Sequence, residues 1–271
     1  MKGLVSTIRI NEETHNAMAT AAPPSAGYEQ DQWKGVTPLR AGEGHSFLLR
    51  RLHSLSGIVP VGAFLVEHFV SNAYATNGPH AYATQIKFLN SLPFVPFLEW
   101  GLIYIPILYH ALYGILIWYR GQSNVIAYPW EGNWLYTAQR WTGIVTFAYI
   151  LQHVYSLRFT GVHLVKYPGA GFGKVQHELT NPWMLAFYLA AIVCASWHFA
   201  YGIWLFCAKW GITQGERARR KAGVVCFAIG LLFVVVGLVT VRAFIAPRNP
   251  DWRNMGTDPA TSKQVEAQPV E

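Results

Sequence analysis

Charge is scarce in this sequence. Only 13% of its 271 residues are Asp, Glu, Lys or Arg, whereas about 25% is usual in a soluble globular protein. The hydrophobic share is 52% and the aromatic share 15%, more than a soluble core of this size can bury. The composition therefore excludes an ordinary soluble enzyme. The net charge of +7 does not indicate nucleic-acid binding, because phosphate recognition needs a solvated basic face that so apolar a chain does not offer.

Cysteine is scarce as well. The chain has three cysteines, Cys194, Cys207 and Cys226, and they form no CxxC motif. All three lie within apolar segments, where a thiol usually acts as a small apolar packing residue. The cysteines therefore provide no motif for binding an iron–sulfur cluster.

Long apolar segments are abundant. Five are long enough to cross a hydrocarbon layer of about 30 Å as helices. They lie at about 48–73, 96–119, 135–158, 182–208 and 222–245. We predict an all-α integral membrane protein with five transmembrane helices, in which Asn181 and Pro182 begin the fourth. The predicted organisation is a flexible extension at 1–45, a membrane domain at 46–245 and a polar tail at 246–271.

The basic residues near the helix ends predict the orientation. Ten lie on the side of the N-terminus and six on the other side. The larger set comprises Arg40, Arg50, Arg51, Arg120, Arg140, Lys209, Arg217, Arg219, Arg220 and Lys221, and the smaller set comprises Lys87, Arg158, Lys166, Lys174, Arg242 and Arg248. Because cytoplasmic loops are enriched in Lys and Arg, we expect a multi-pass protein of the cytoplasmic (inner) membrane, with its N-terminus in the cytoplasm and its C-terminus outside.

The first two predicted helices are repeated as the third and fourth. The motif His-x-x-Tyr-Gly-Ile begins at His110 and again at His198, which is 88 residues later. Gly-Ile-Val begins at Gly57 and at Gly143, and it precedes His68 in the first copy and His153 in the second. Both copies begin on the same side of the membrane, so an axis along the membrane normal should relate them. The fifth helix lies outside the repeat and is expected to pack against it.

Each of the four repeated helices carries one intramembrane histidine, and these histidines fall at two depths. The rise of a helix places His68 and His153 at one level and His110 and His198 at another, roughly 10 Å away. Two facing imidazoles suit the axial positions of a haem iron, whereas a structural zinc ion needs four ligands at one point. Any single histidine could instead form a hydrogen bond to a neighbouring helix. Gly57 and Gly143, near the second level, could provide clearance for a haem or a close helix contact.

At these residues the chain resembles a known family, the five-helix, two-haem cytochrome b subunits of succinate dehydrogenases and fumarate reductases. The resemblance covers about 47–245. Its motifs are Arg50-Arg51-Leu-His53-Ser-Leu, Pro60-Val-Gly, Ser91-Leu-Pro-Phe, Tyr109-His110-Ala-Leu-Tyr-Gly, Gln139-Arg140-Trp-Thr-Gly-Ile, His198-Phe-Ala-Tyr-Gly and Lys209-Trp-Gly-Ile-Thr. It implies two b haems: an inner haem held by His110 and His198 and an outer haem held by His68 and His153.

The resemblance also implies roles for polar residues near the haems. Lys209 matches a position that pairs with an inner-haem propionate, and we place Arg51, His53 and Arg140 near the same level. The alternatives are an interfacial hydrogen bond for His53 and basic side chains that extend to the interface for the other three. Near the outer end, Glu99 and Trp100 are candidates for quinone binding, with an ordinary interfacial Glu and Trp as the alternative.

The function implied is that of the membrane anchor in succinate:quinone oxidoreductase. Electrons would arrive from flavoprotein and iron–sulfur subunits on the cytoplasmic face and pass through the haems to a quinone, with no substrate chemistry in this chain. One branch of the family has a glutamate where Ser196 stands and uses it for proton passage through the membrane. Without that glutamate the chain is more similar to the succinate-oxidising, menaquinone-reducing branch, so menaquinone is expected rather than ubiquinone. The alternatives are a cytochrome b of fumarate reductase or hydrogenase type, or a haem-free proton-relaying transporter. A transporter should carry more deep carboxylates than Glu67.

Overall fold

The computed structural model describes residues 41–121, 125–160 and 169–246, and across these ranges the chain is helical with no strand. Most of the predicted extension at 1–45 and of the predicted tail at 246–271 lies outside the described residues. The helices are α1 (Ala41–Ile58), α2 (Pro60–Ala73), α3 (Pro79–Asn90), α4 (Ile105–Arg120), α5 (Glu131–Val154), α6 (Ala170–Glu178), α7 (Pro182–Lys209) and α8 (Gly215–Ile245). The bundle described below is formed from Leu49 onward.

Four helical segments among the described residues are long and apolar enough to cross a membrane. They are Ser46–Asn77, Val95–Arg120, Pro182–Lys209 and Gly215–Ile245. The prediction of an all-α integral membrane protein is therefore confirmed. The predicted third span corresponds to α5, which has 24 residues but is less apolar, with Gln139, Arg140 and Gln152 along its length. The count of five spans stays a prediction.

Two proline positions shape the helices that enter the bundle. At the start of α7, Asn181 Oδ1 accepts hydrogen bonds from the backbone N–H of Trp183 at 2.9 Å and of Met184 at 3.4 Å, which confirms the predicted cap. At Pro60, the missing N–H interrupts the helical ladder between α1 and α2. The N–H of Ala63 still bonds the Val59 carbonyl at 3.2 Å, so the first span continues through the interruption.

Helix α8 packs along α7 through small residues. A Cβ atom on Gly237 would lie 2.6 Å from Ile192, and one on Gly230 would lie 3.0 Å from the Cβ atom of Ala200. Ser196, on the same side of α7, is completely buried. Small residues allow helix backbones to approach closely inside a membrane. Packing is thus the observed role of α8.

One end of the bundle is covered by two short helices, α3 and α6, and we call it the capped end. These helices lie in the connections between the predicted spans. Tyr82 of α3 and Phe172 of α6 meet Phe244 of α8, with ring centroids 5.4 and 4.8 Å from it. Burial raises the pKa of Tyr82 well above its ordinary range. Much of the buried apolar core lies at this end, because the flanks of the spans expose apolar side chains for contact with lipid.

The opposite end, which we call the basic end, is closed by reciprocal bonds between α1 and α7. A guanidinium nitrogen of Arg51 donates to the carbonyl of Lys209, and Nζ of Lys209 donates to the carbonyl of Arg50 at 3.1 Å. The Arg51 guanidinium also lies 5.1 Å from the ring centroid of Trp210. Cations are favoured at a helix C-terminus, where the last carbonyls have no partner within the helix. These bonds hold the C-terminal end of α7 against the middle of α1.

Candidate functional site

Two of the four histidines predicted as haem ligands meet between α4 and α7 and form what we call the first pair. The imidazole centroids of His110 and His198 are 6.1 Å apart and their planes are 87° apart. Nδ1 of His110 is hydrogen-bonded to the carbonyl of His53 at 2.9 Å, and Nδ1 of His198 to that of Gln139 at 2.9 Å. A neutral imidazole that donates from Nδ1 keeps the lone pair of Nε2 free. The first pair can therefore offer two nitrogens to one metal ion.

The repeat is visible in the contacts around this pair. His53 and Gln139, whose carbonyls hold the two imidazoles, occupy the same position in the two copies. Four residues after each of them come Gly57 and Gly143. A Cβ atom on Gly57 would lie 2.7 Å from Nδ1 of His110, and one on Gly143 would lie 2.7 Å from Cε1 of His198. Each glycine thus leaves space for an imidazole of the next histidine-bearing span. Its role in haem clearance stays a prediction.

The other two histidines meet between α2 and α5 and form what we call the second pair. The ring centroids of His68 and His153 are 5.7 Å apart and their planes are 88° apart. One turn earlier in each helix stands an aromatic residue, Phe64 at 5.3 Å from the His68 ring and Tyr149 at 5.1 Å from the His153 ring. The Tyr149 hydroxyl is within 3.0 Å of His153 Nδ1. The second pair repeats the geometry of the first, with different groups behind the two rings.

Both pairs have the spacing that a shared metal ion would require. Imidazole–metal bonds are about 2 Å long, so two rings on opposite sides of one ion have centres roughly 6 Å apart. No group of three or more His, Cys, Asp or Glu side chains that could hold a metal ion occurs in the described part of the chain. Two nitrogens at each level suit the axial positions of a macrocycle-bound iron better than a metal held by protein alone. The residues present therefore fit two haems.

The residues predicted to contact the inner haem propionates lie near the first pair and the basic end. The His53 ring stacks on that of His110, with centroids 4.1 Å and planes 9° apart. His53 Nδ1 and Arg140 Nε are buried and have no hydrogen-bond partner. Such buried donors suit an acidic group beside the first pair. Arg51 and Lys209, in contrast, each hydrogen-bond a backbone carbonyl across the helix interface.

Arg140 lies beside a cavity between α4 and α5. Its guanidinium donates to the carbonyl of Ile117 at 2.8 Å and lies 4.1 Å from the ring centroid of Tyr136. The cavity has a volume of about 260 Å³, and Trp118 and Trp141 are among the side chains that line it. A planar cation held by one carbonyl and one ring keeps further N–H groups available for an anion.

The predicted quinone residues lie on the flank of the bundle, where α5 ends. Glu99 forms an ion pair with Arg158, with Oε2 and the guanidinium nitrogen 2.8 Å apart and both side chains partly exposed. Trp100 is exposed and makes an edge contact with Tyr104, at a centroid distance of 5.1 Å. Sequence reasoning used Arg158 only to predict orientation. Glu99 and Arg158 lie at the same predicted membrane depth, and this was the signal that could have predicted their ion pair.

Sequence reasoning also missed a polar chain that begins at His153. Besides Tyr149, the hydroxyl of Tyr188 lies 3.4 Å from His153 Nδ1, and it donates to Glu178 Oε2 at 2.9 Å. Ser156 donates to the other oxygen of Glu178, and Lys174 Nζ lies 3.5 Å from it. The spacing of Tyr149 and His153, four residues apart on one helix face, was the available signal.

Fold and site together define the class: a helical membrane bundle with two intramembrane histidine pairs. Residues 119–237 match the family model described as succinate dehydrogenase/fumarate reductase transmembrane subunit. The chain is 37% identical over 199 residues to the succinate dehydrogenase cytochrome b558 subunit of Bacillus subtilis, covering 73% of this chain and 97% of the relative. It is 31% identical over 108 residues to the succinate dehydrogenase hydrophobic membrane anchor subunit of Thermoplasma acidophilum, covering 38% of this chain and 85% of that relative. The chain therefore belongs to the transmembrane-subunit family of succinate dehydrogenases and fumarate reductases.

Proposed function

We propose that this chain is the cytochrome b membrane anchor of a succinate:quinone oxidoreductase and conducts electrons through two b haems to a quinone. The observation that carries the proposal is the arrangement of four partly buried histidines as two facing pairs, each with one histidine from each repeat. The relative from Bacillus subtilis is named a cytochrome b558 subunit, which supports b-type haem.

The first pair would hold the inner haem and the second pair the outer haem. Haem b held by two imidazoles at each pair would accept and give up single electrons and would offer no open site for oxygen. The chain supplies the four imidazoles and fixes the tautomers of His110 and His198 through the carbonyls of His53 and Gln139. His53 and Arg140, with their unpaired buried nitrogens, would bind the inner propionates. Arg51 and Lys209 would contribute positive charge nearby.

Flavoprotein and iron–sulfur subunits would dock at the basic end, which we assign to the cytoplasmic face. Lys and Arg there would attract an acidic partner surface as well as set the orientation. The first pair would then be the nearer one to the incoming electrons. The proposed membrane domain is 46–245 with five spans, preceded by a cytoplasmic extension and followed by an external tail.

The quinone, which we propose is menaquinone, would bind at the outer end of the bundle beside Glu99, Trp100 and Arg158. The Arg158 guanidinium is a hydrogen-bond donor for a quinone oxygen, and Trp100 offers an exposed aromatic face for the ring. Glu99 would face the outer aqueous side, from which protons would reach the reduced quinone.

A pyridine haemochrome assay on the purified complex tests the proposal. We expect two b haems per chain in the wild type and a loss of at least one in His68→Ala, His110→Ala, His153→Ala and His198→Ala. His80→Ala is the matched control, since His80 lies in α3 outside the pairs, and it should retain both haems. Wild-type protein without haem, or undiminished haem in all four variants, would overturn the proposal.

A further inference from the structure

The second histidine pair breaks the symmetry of the repeat. Phe64 and Tyr149 occupy the same position in the two copies, each four residues before its histidine. Both rings contact their histidine, but only Tyr149 has a hydroxyl, and that hydroxyl lies 3.0 Å from His153 Nδ1. The same comparison at the first pair shows no such difference, because a backbone carbonyl binds Nδ1 in both copies.

The hydroxyl beside His153 leads to a buried carboxylate. Tyr188, only 6% exposed, is also close to His153 Nδ1 and donates to Glu178 Oε2 at 2.9 Å. The Glu178 side chain is 8% exposed. Its charge is balanced in part by Lys174 at 3.5 Å and by the Ser156 hydroxyl. A carboxylate buried in this way is kept only where charge and hydrogen bonds compensate its loss of water.

The direction of these hydrogen bonds follows from the role of His153. With Nε2 directed to a metal, a neutral imidazole carries its proton on Nδ1 and must donate from it. Either tyrosine hydroxyl can accept that hydrogen bond, and the Tyr188 hydroxyl in turn donates a hydrogen bond to Glu178. His153 is thereby connected to a negative charge, whereas His110 and His198 are connected to neutral carbonyls. A hydrogen-bonded carboxylate behind a ligand imidazole raises the basicity of the ligand.

We infer that Tyr149, Tyr188 and Glu178 form a positioning relay that orients the His153 imidazole and lowers the reduction potential of the outer haem. This inference rests on the proposed function. A more basic axial ligand stabilises ferric iron over ferrous iron, so the relay would hold the outer haem at a lower potential than a neutral partner would. Lys174 would moderate the effect by partly neutralising Glu178.

The relay is distinct from a purely structural role of Glu178. Glu178 ends α6 and could simply hold this helix against Tyr188 of α7. In that case, removing the tyrosine hydroxyls would leave every charge in place and leave the haem unchanged. If the relay acts on His153, loss of the hydroxyls has the same effect as loss of the carboxylate.

Potentiometric titration of both haems in the purified complex provides the test. We expect Glu178→Gln and the double variant Tyr149→Phe/Tyr188→Phe to favour reduction of one haem roughly three- to tenfold, up to about 59 mV upward for a one-electron couple. Lys174→Gln should shift the same haem downward. The shifted haem should be the component that His153→Ala removes. The ferric low-spin EPR signal of that haem should change as well, because the imidazole is reoriented.

Tyr104→Phe is the matched control, since it removes an aromatic hydroxyl near Glu99 and Arg158 without touching His153. It should leave both potentials unchanged. Two haems whose potentials are unmoved in Glu178→Gln and in the double tyrosine variant would overturn the relay while leaving the proposed function intact. A shift in Glu178→Gln alone would also overturn it, since that shift would be a through-space effect of charge. Wild-type protein without haem would instead overturn the proposed function.

Discussion

Gly57 lies directly against the imidazole of His110, so that a Cβ atom on this glycine would come within 2.7 Å of Nδ1. The ring fits only because Gly57 has no side chain at this point of the first span. The carbonyl of His53, one turn earlier, accepts a hydrogen bond from Nδ1 of the same ring. Gly143 and His198 have the same relationship in the second copy. The glycines therefore control the position of the first pair.

Gly57→Ala and Gly143→Ala should each displace an imidazole of the first pair, because contacts this short force the ring or the helix to move. We expect the haem content to fall from two toward one per chain, measured as pyridine haemochrome. Gly202→Ala is the control: a Cβ there would meet Gln139 Nε2 at 3.6 Å, an ordinary contact. If both alanine variants bind haem like this control, the glycines do not position the histidines.

Phe172→Ala should open the capped end. Phe172 is only 6% exposed and packs against Tyr82 and Phe244. Truncating a buried phenylalanine costs about 3–5 kcal/mol. We expect faster hydrogen exchange in α3 and α6 than in the wild type. Phe88→Ala, at a position in α3 that is 56% exposed, should leave exchange nearly unchanged. Equal protection of the α3 and α6 amides in the two variants would contradict the role of Phe172 in stabilising the capped end.

Asn181→Ala should weaken the start of α7. The side chain satisfies two N–H groups of the first turn, and losing such a cap typically costs about 1 kcal/mol. The backbone amides of Trp183 and Met184 should then exchange about fivefold faster, given that 1.4 kcal/mol corresponds to tenfold. Asn181→Ser keeps an oxygen acceptor and should restore most of the protection. Unchanged exchange in the alanine variant would show that these amides are protected by other means.

Glu99→Gln should slow quinone reduction at least tenfold while leaving two haems in place. A partly exposed ion pair contributes about 1 kcal/mol or less to stability, so the loss of the bond to Arg158 should not unfold the bundle. The measurement is succinate-driven reduction of a menaquinone analogue by the complex. Lys87→Gln, another charge change near the outer end, should have little effect. Full activity in Glu99→Gln would place the quinone elsewhere.

Much of the frame could be predicted because a helix in a membrane obeys simple geometry. A constant rise of 1.5 Å per residue is enough to assign His68 and His153 to one level and His110 and His198 to another. The structure brings these same residues together in pairs, while their role as haem ligands stays a prediction. The helix N-cap at Asn181 could be predicted because capping depends on a local sequence pattern.

The capped end could not be predicted in this way. Helices α3 and α6 are short and of mixed polarity, and they are stabilised by packing of Tyr82, Phe172 and Phe244 rather than by local preference. The bond between Tyr188 and Glu178 depends on how α6 folds back onto α7, which no periodicity reveals. For the same reason the stacking of His53 on His110 was beyond sequence reasoning, which placed His53 at the membrane interface.

Neither copy of the repeat contains a complete histidine pair. His68 and His110 belong to the first copy and His153 and His198 to the second, yet the pairs join His68 to His153 and His110 to His198. A two-helix unit taken alone is therefore two half-sites, and a symmetrical dimer of such units would complete both sites across its interface. During synthesis of this chain, the His68–His153 pair cannot be complete until the third repeated helix has entered the membrane, and the His110–His198 pair cannot be complete until the fourth has entered.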